Sequence, residues 1–311
     1  MTRITESQWE KLASAFGSEL QRDVPLSPYT AARVGGAADG LIVVDSEAML
    51  EQTARTLWEL DIPFIILGGG ANVLVSDAGV REIVVLNRAK RIEINQAERF
   101  VWAESGANFG VMARKVSARG CTGFEWAAGI PGTVGGAVYG NAGAHGWEVA
   151  DNLMMATILH PVEGKKQMSS SQMGFAYRSS FLKKEQEKSV ILSACFRIEE
   201  STVSATKALL KEFLNHRKGT QPPGASMGSM FKNPPGDFAG RLIELAGLKG
   251  TRKGDVEISP LHANFFINKG KGSAKDILSL IKLVRQKVDQ KFGIKLDLEI
   301  ELIGDWDGKD A

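Results

Sequence analysis

The stretch from Gly120 to Gly143, GCTGFEWAAGIPGTVGGAVYGNAG, holds eight glycines among small and aromatic residues. Glycine at that density suits backbone that turns sharply and comes close to another surface, and does not suit the interior of a packed helix. A second cluster, LGGGANVLVSD at Leu67 to Asp77, has the same character, and an arginine followed by two hydroxyls, Tyr177-Arg178-Ser179-Ser180, comes later. Structural turns account for some of these glycines. Backbone N–H groups lining a phosphate or a flat cofactor ring account better for their number.

Around these loops the chain reads as strands alternating with helices. The helical period gives a first helix over Trp9 to Leu20, with Trp9, Leu12, Ala13 and Phe16 on one face. Asp23 to Asp39, punctuated by Pro25, Pro28 and Gly35-Gly36, reads as a connection, and LIVVD after it as a buried strand. Ser46 is placed to cap a helix over Glu47 to Leu60, whose stripe is Leu50, Ala54 and Leu57, widened by Trp58. Pro63 then opens PFIILGGG, a strand that runs straight into glycine. The common dinucleotide fingerprint GxGxxG opens a helix, whereas GGGANVLVSD leads into another extended run, so a cofactor here is held by loops between strands. REIVVL, RIEI and RFVWAESGA stay β-prone, and Asn108 can cap a helix from Phe109 to Arg119 that buries Phe109, Met112, Ala113 and Val116 and stops at Gly120.

Val149 to Leu159 reads as a strand leading to a turn at Glu163-Gly164, and Val190 to Ile198 alternates, with Val190, Leu192, Ala194, Phe196 and Ile198 on one side. A helix from Val203 to Arg217 leads into the break RKGTQPPGASMGSMFKNPPGD, and the rhythm of elements changes near residue 200. The last part holds a helix AGRLIELAGL ended by Gly250, a strand-like HANFFINKG, and a helix from Ala274 to Phe292 with Ile277, Ile281, Val284 and Val288 on one face. In LDLEIELI, alternation puts Leu296, Leu298, Ile300 and Leu302 on the core face and Asp297, Glu299 and Glu301 on the other, so Glu299 faces solvent or a cleft. The expected organisation is two subdomains, 1–90 and 91–200, then a domain over 201–305 and a polar tail, 306–311.

With 311 residues and 43% hydrophobic content, the chain can build the cores of two or three domains. A net charge of +2 supplies no field for nucleic acid or an anionic membrane, although a local cluster can still bind phosphate. Two isolated cysteines, Cys121 and Cys195, are too few for a disulfide framework and fit a reducing compartment. MTRITESQWEK lacks the regions of a signal peptide, and no run of about 18 apolar residues follows, so the cytoplasm is expected. A monomer is the default. His145, His160, His216 and His262 show no ligand spacing, which argues against a metal site, and GxxxxGK[ST], HExxH and GxSxG are missing. Arg178 is either a surface arginine or a guanidinium fork for a carboxylate or phosphate. Ser229, in MGSMFKNP, is either a turn residue or a proton donor in a cleft, and Lys232, Asn233, His262 and Glu299 are ambiguous singly. The residues by themselves reach a cofactor-binding α/β enzyme with an anion site.

Eight blocks, in order, also resemble one family: RVGGAAD, LGGGANVLVSD, FEWAAGIPGTVGGAVYGNAGAHG, GFAYRSSF, TQPPGASMGSMFKNP, FAGRLIELAGLKG, HANFFIN and LEIELIG. Over roughly residues 30 to 304 the chain is similar to the UDP-N-acetylenolpyruvoylglucosamine reductases, flavoenzymes of bacterial peptidoglycan precursor synthesis. The resemblance implies an α/β FAD-binding fold of the vanillyl-alcohol-oxidase type in two subdomains and a C-terminal α+β substrate-binding domain. It implies two half-reactions, in which NADPH reduces FAD and the reduced flavin passes hydride to the enolpyruvyl β-carbon of a UDP-sugar.

By block matching, Arg178 would hold the enolpyruvyl carboxylate, Glu299 would act with it as a neutral acid, and Ser229 would donate a proton to the α-carbon. Leu67, Gly68, Gly69, Gly70, Ala71, Asn72 and Val73 would hold FAD from one loop. Ala128, Gly129, Pro131, Gly132, Gly135, Gly136, Asn141 and Gly143 would hold it from the other, with Arg33 nearby. Lys232, Asn233 and His262 would line the UDP-sugar cleft. Ala71 replaces a frequent serine, DVEISPLHAN replaces a more glycine-rich approach to His262, and Asn141 to Arg178 leaves no room for the substrate-covering tyrosine loop of one class. That favours the shorter class, closed over substrate by its third domain. The competing readings are another flavoenzyme of this cofactor fold, such as an alcohol oxidase, and a non-catalytic flavin or sugar-nucleotide binding protein.

Overall fold

Two sheets share one helix between them. The computed structural model describes residues 4–185 and 188–306. Its first sheet orders the strands Leu20–Pro25, Ala37–Val44, Val80–Asn87 and Phe64–Leu67, with only the first pair antiparallel. Parallel neighbours need a crossover, and the helix Glu47–Glu59 supplies it, with Ser46 accepting the Met49 N–H as its cap. Leu50, Ala54 and Leu57 are buried on it, in one cluster with Ile83 and Val85 of the first sheet and Leu159, Val190 and Leu192 of the second. The lobes are therefore joined by a common core.

The second sheet is antiparallel throughout, in the order Gly164–Ser169, Leu153–His160, Val190–Arg197, Phe100–Glu104 and Ile92–Asn95. Phe109 of the helix Phe109–Ala118 meets Phe124, Trp126 and Phe196 edge-on or tilted, with centroids 5.8–6.4 Å apart. The third lobe packs helices Ala239–Leu245 and Ala274–Phe292 against the small sheet Arg252–Lys253, Val256–Ile258 and Phe266–Asn268. Ala32, Val34 and Leu74, from the first lobe, are part of this third core.

Two further links fix the third lobe to the first. The chain returns at Glu301–Ile303 to pair parallel with Val73–Val75, directly after the first glycine loop. Asp77 caps the long helix from outside, accepting the N–H groups of Ala274 and Lys275 at 2.9 Å each. A carboxylate there meets both the free amides and the positive end of the helix dipole.

Several elements differ from the sequence reading. The first helix runs Glu6–Phe16, started by a Thr5–Gln8 capping box and stopped at Gly17 with φ +51°, which leaves Ala13 exposed. Leu20–Pro25 is a strand, not a connection: a polar edge strand lacks the alternation that marks one. Val149–Asn152 is a helical turn before the strand begins at Leu153. Val190–Arg197 is buried on both faces over its first five residues: Val190 and Leu192 join the cluster around the helix Glu47–Glu59, and Ile191 joins the core of the second lobe. The helix in AGRLIELAGL ends at Leu245, with Gly247 at φ +75°, before Gly250. The final strand shrinks to three residues, and VGGAVY in the central glycine stretch forms a short helix, Val134–Tyr139, capped by Thr133. Trp306 donates its indole N–H to the Ile303 carbonyl, so it belongs to the fold; the rest of the expected tail, 307–311, lies outside the described residues.

Replacing Asp77 with alanine removes both cap bonds without touching the core. Asp77→Ala should cost about 1–2 kcal/mol of unfolding free energy, seen as a lower urea midpoint at unchanged slope; an unchanged midpoint would show that the Ser273–Asp276 capping box of the same helix suffices alone.

Candidate active site

The two glycine loops meet each other. A Cβ on Gly69 would lie 3.0 Å from the Gly132 Cα, and one on Gly68 would lie 2.5 Å from the Thr133 hydroxyl oxygen. Gly70, at φ +58°, abuts the Tyr29 carbonyl, and its own carbonyl accepts the Ala31 N–H at 2.9 Å. Gly135 is pressed against Ser105 and Gly129 against Arg217, each leaving less than 3.0 Å for a Cβ. Much of the glycine density therefore lets chain approach chain, and the sequence reading had assigned it to the cofactor. Gly132 and Gly136 leave ordinary van der Waals space, whereas a Cβ on Gly143 would lie 2.6 Å from the Trp147 carbonyl oxygen and 3.2 Å from the Arg178 guanidinium.

What the meeting leaves over is a row of donors. Among the described residues, no acceptor takes the backbone N–H of Gly68, Gly69, Gly70, Ala71 or Asn72. Successive amides around a tight turn make an anion-binding concavity, and a diphosphate fits this donor set. Two cations attend the loops: the Arg88 guanidinium donates to the Gly68 carbonyl at 3.1 Å, and Arg217 packs its stem on Gly129. The sequence reading missed Arg217, a half-buried guanidinium with no acidic partner among the described residues, whose pKa burial alone lowers. Leu67 and Ala128 are 2% exposed, so their side chains cannot reach a cofactor, and Pro131 sits exposed at the loop.

Asn141 has a different task from the expected one. It is fully buried, its amide donates to the Ala176 carbonyl at 3.1 Å, and its oxygen accepts the Ala150 N–H at 3.0 Å. Ala176 and Ser179 exchange both backbone bonds across a tight turn, which puts Tyr177 and Arg178 at its tip. Arg178 has φ +55°, a left-handed conformation that costs an ordinary residue on the order of 1–2 kcal/mol. Asn141 holds the turn in that state from one side. From the other, the Ser180 hydroxyl donates to the Tyr139 carbonyl at 2.7 Å.

This turn delivers Arg178 to Glu299. Nε lies 2.9 Å from the Glu299 Oε1, yet its N–H is not aimed at that oxygen and is buried with no acceptor in line. The contact is an ion pair by proximity, and a directed donor is left over. The Glu299 side chain is only 17% exposed. Burial raises its pKa, against the opposing pull of Arg178 first and then of Lys183 and Lys232. Asn72, assigned to the cofactor from sequence, uses its side-chain amide on the Glu299 carbonyl at 3.0 Å, and its own carbonyl accepts the Glu301 N–H at 2.9 Å. The first glycine loop thus positions the glutamate, and Val73 continues it in register with Glu301.

Ser229 lies on the neighbouring segment. It bridges to Phe265, and the carbonyl of the next residue, Met230, accepts the Glu299 N–H at 3.0 Å. Buried Asn264 sets this register, taking the Phe231 N–H and donating to the Phe231 carbonyl. Lys232 ties its N–H to Asp297 and contributes charge at Glu299. Asn233 accepts the Ala239 N–H as a helix cap, and its own N–H approaches the Tyr177 hydroxyl at 3.5 Å. The structure therefore brings Arg178, Glu299, Ser229 and Lys232 together. His262 stands apart, its ring on Phe265 and its Nδ1 accepting the Asn264 N–H, with burial lowering its pKa. Arg33 is exposed at φ +55°, and its side chain makes no hydrogen bond or ion pair among the described residues. Both cysteines are free, and no cluster of metal-ligating side chains occurs among the described residues.

Comparison with known proteins agrees with this geometry. A family model described as UDP-N-acetylenolpyruvoylglucosamine reductase, C-terminal domain, matches residues 220–303, and one described as FAD binding domain matches residues 38–165. The UDP-N-acetylenolpyruvoylglucosamine reductase of Rubrobacter xylanophilus is 40% identical, over 91% of this chain and 95% of its own. That of Chloroflexus aurantiacus is 42% identical, over 91% and 97%. The crystal structure of UDP-N-acetylenolpyruvylglucosamine reductase from Thermus caldophilus superposes with a TM-score of 0.78 at 34% identity, covering 91% of this chain and 98% of that one. The fold is accordingly an α/β FAD-binding region followed by an α+β domain.

The raised Glu299 carboxyl has a consequence for stability. A group whose folded pKa lies above its unfolded one stabilises the fold below the unfolded value, and that contribution is lost as pH rises through the folded one. The parent should therefore lose stability relative to Glu299→Gln as pH rises above the ordinary carboxyl range, about 4, measured as urea midpoints of both proteins. A gap independent of pH would contradict a raised Glu299.

Proposed function

The chain belongs to the UDP-N-acetylenolpyruvoylglucosamine reductase family, and from that premise we propose that it oxidises NADPH to reduce UDP-N-acetylglucosamine enolpyruvate to UDP-N-acetylmuramate. Bound FAD supplies the hydride acceptor for NADPH and the hydride donor to the enolpyruvyl β-carbon. The five free amides of residues 68–72 and the nearby Arg217 are the groups that fit its diphosphate.

The observation that carries the reading is the Arg178–Glu299 pair at a strained turn, beside the segment of Ser229 and fastened to the first glycine loop by Asn72. In this reading the unused Nε–H of Arg178 takes the substrate carboxylate, where negative charge accumulates as hydride reaches the β-carbon. Glu299, buried and raised, is poised to be neutral and to donate to the same carboxylate instead of repelling it. The Ser229 hydroxyl gives its proton to the α-carbon, which balances the hydride and completes the D-lactyl ether. A serine is a weak acid, so the step relies on fixed geometry, which the Asn264 clamp on Phe231 and the Glu299–Met230 bond supply. Lys232 supplies charge for the UDP diphosphate.

The same reading divides the chain into cofactor lobes 1–90 and 91–200 and a substrate lobe 201–305, since each encloses one of the sheets and Glu299 lies in the third. It takes the protein as a cytoplasmic monomer of the shorter class, its two thiols kept reduced. Nicotinamide and substrate use one cleft in turn.

Ser229→Ala separates the proton step from the rest. Stopped-flow absorbance should show flavin still reduced by NADPH, and reoxidation by the enolpyruvyl substrate slowed by about 10²–10⁴-fold. Reoxidation at the parent rate would remove Ser229 from the mechanism.

A further inference from the structure

A second ion pair lies beside the first. Lys183 Nζ stands 2.6 Å from the Glu301 Oε1, and the lysine side chain is 14% exposed. The two pairs join the same two segments: Arg178 and Lys183 come from the turn and the short helix Phe181–Lys184 that follows it, Glu299 from the bend just before the strand Glu301–Ile303 and Glu301 from that strand's first residue. The two ion pairs themselves show both carboxylates presented to the basic segment together.

Each segment is anchored separately. Ser180 fastens the basic one to Tyr139, while Asn72 and Met230 hold the backbone of the acidic one. Those bonds do not determine how the four charged groups pair. Lys183 stands close enough to Glu299 to act on its charge, so a Lys183 released from Glu301 has Glu299 as an alternative carboxylate. We propose that the Lys183–Glu301 pair is a positioning device for the reaction, keeping Arg178 and Glu299 matched to each other and available to the substrate carboxylate. This rests on the reductase reading for its chemistry and on the two ion pairs for its geometry. The charged groups facing Glu299 are Arg178, Lys183 and Lys232, with Glu301 two residues along the chain. Lys183 and Glu301 are positioning residues; neither need touch substrate.

The test is a double-mutant cycle. Lys183→Met and Glu301→Gln should each slow flavin reoxidation by saturating enolpyruvyl substrate about tenfold or more, because a catalytic group displaced by about 1 Å loses that much or more. The double variant has no unpaired charge and should recover to within about threefold of the parent, a non-additivity that general loss of structure would not give. In parallel, the Glu299 carboxyl is titrated by infrared difference spectroscopy against Glu299→Gln. It should titrate lower in Glu301→Gln, where Lys183 is released onto it, and higher in Lys183→Met, where a cation is lost. Single variants that both reoxidise within about twofold of the parent, or a Glu299 titration unmoved in both, would overturn the proposal. A parent protein that the enolpyruvyl substrate never reoxidises would overturn the reductase reading instead, and the titration would still decide the pair.

Discussion

Two backbones can touch only where neither carries a Cβ in the way, and the site depends on one such meeting. Gly69 and Gly132 bring loops from different sheets into contact, with Gly68 against Thr133 and Gly70 against Tyr29. Once the loops are closed on each other, residues 68–72 cannot turn their amides into a sheet or helix. The donors remain free because packing holds them there. The same closure aims Asn72 at the segment that carries Glu299, so the row of free amides and the Glu299 carboxyl are set by one loop. The glycines act first on the fold, and through it they set the row of free amides.

Electrostatics then divides the labour at the site. Glu299 loses water on folding, which favours its neutral form, and three cations pull the other way. Burial wins that contest in direction, consistent with an acid that shares a substrate carboxylate with Arg178. Arg178 is held in a left-handed turn by Asn141 and Ser180, groups that do no chemistry themselves. Such strain persists only where the surroundings fix it, and it leaves a guanidinium donor unspent.

Much of the frame was legible because local signals agreed with burial. Ser46 and Asn108 cap the helices that the apolar period marks, and Ile277, Ile281, Val284 and Val288 are buried along the long helix as their spacing requires. The polar edge strand Leu20–Pro25 was not, since nothing in QRDVP alternates. Nor could spacing say that Val190–Arg197 is covered on both faces, because Val190 and Leu192 pack with a helix of another lobe while Ile191 packs in the core of its own. Within the site, block matching singled out Arg178, Ser229 and Glu299, which the fold brings to adjoining segments. It also gave Asn72 and Asn141 to the cofactor, although their amides are spent on backbone carbonyls. Lys183 and Arg217 escaped notice because a lone basic residue on a helix looks like a solvated one until its neighbours are known. For Glu301 the alternation of LDLEIELI already placed it on the face of Glu299; what sequence lacked was the partner.

The measurement that bears most directly on this account is the visible absorption spectrum of the purified protein under anaerobic conditions, taken before NADPH, after it, and after UDP-N-acetylglucosamine enolpyruvate. The account predicts an oxidised flavin band that bleaches with NADPH and returns with the enolpyruvyl substrate. A protein that stayed colourless after incubation with FAD would contradict it, since the free amides of the glycine loop would then hold no cofactor.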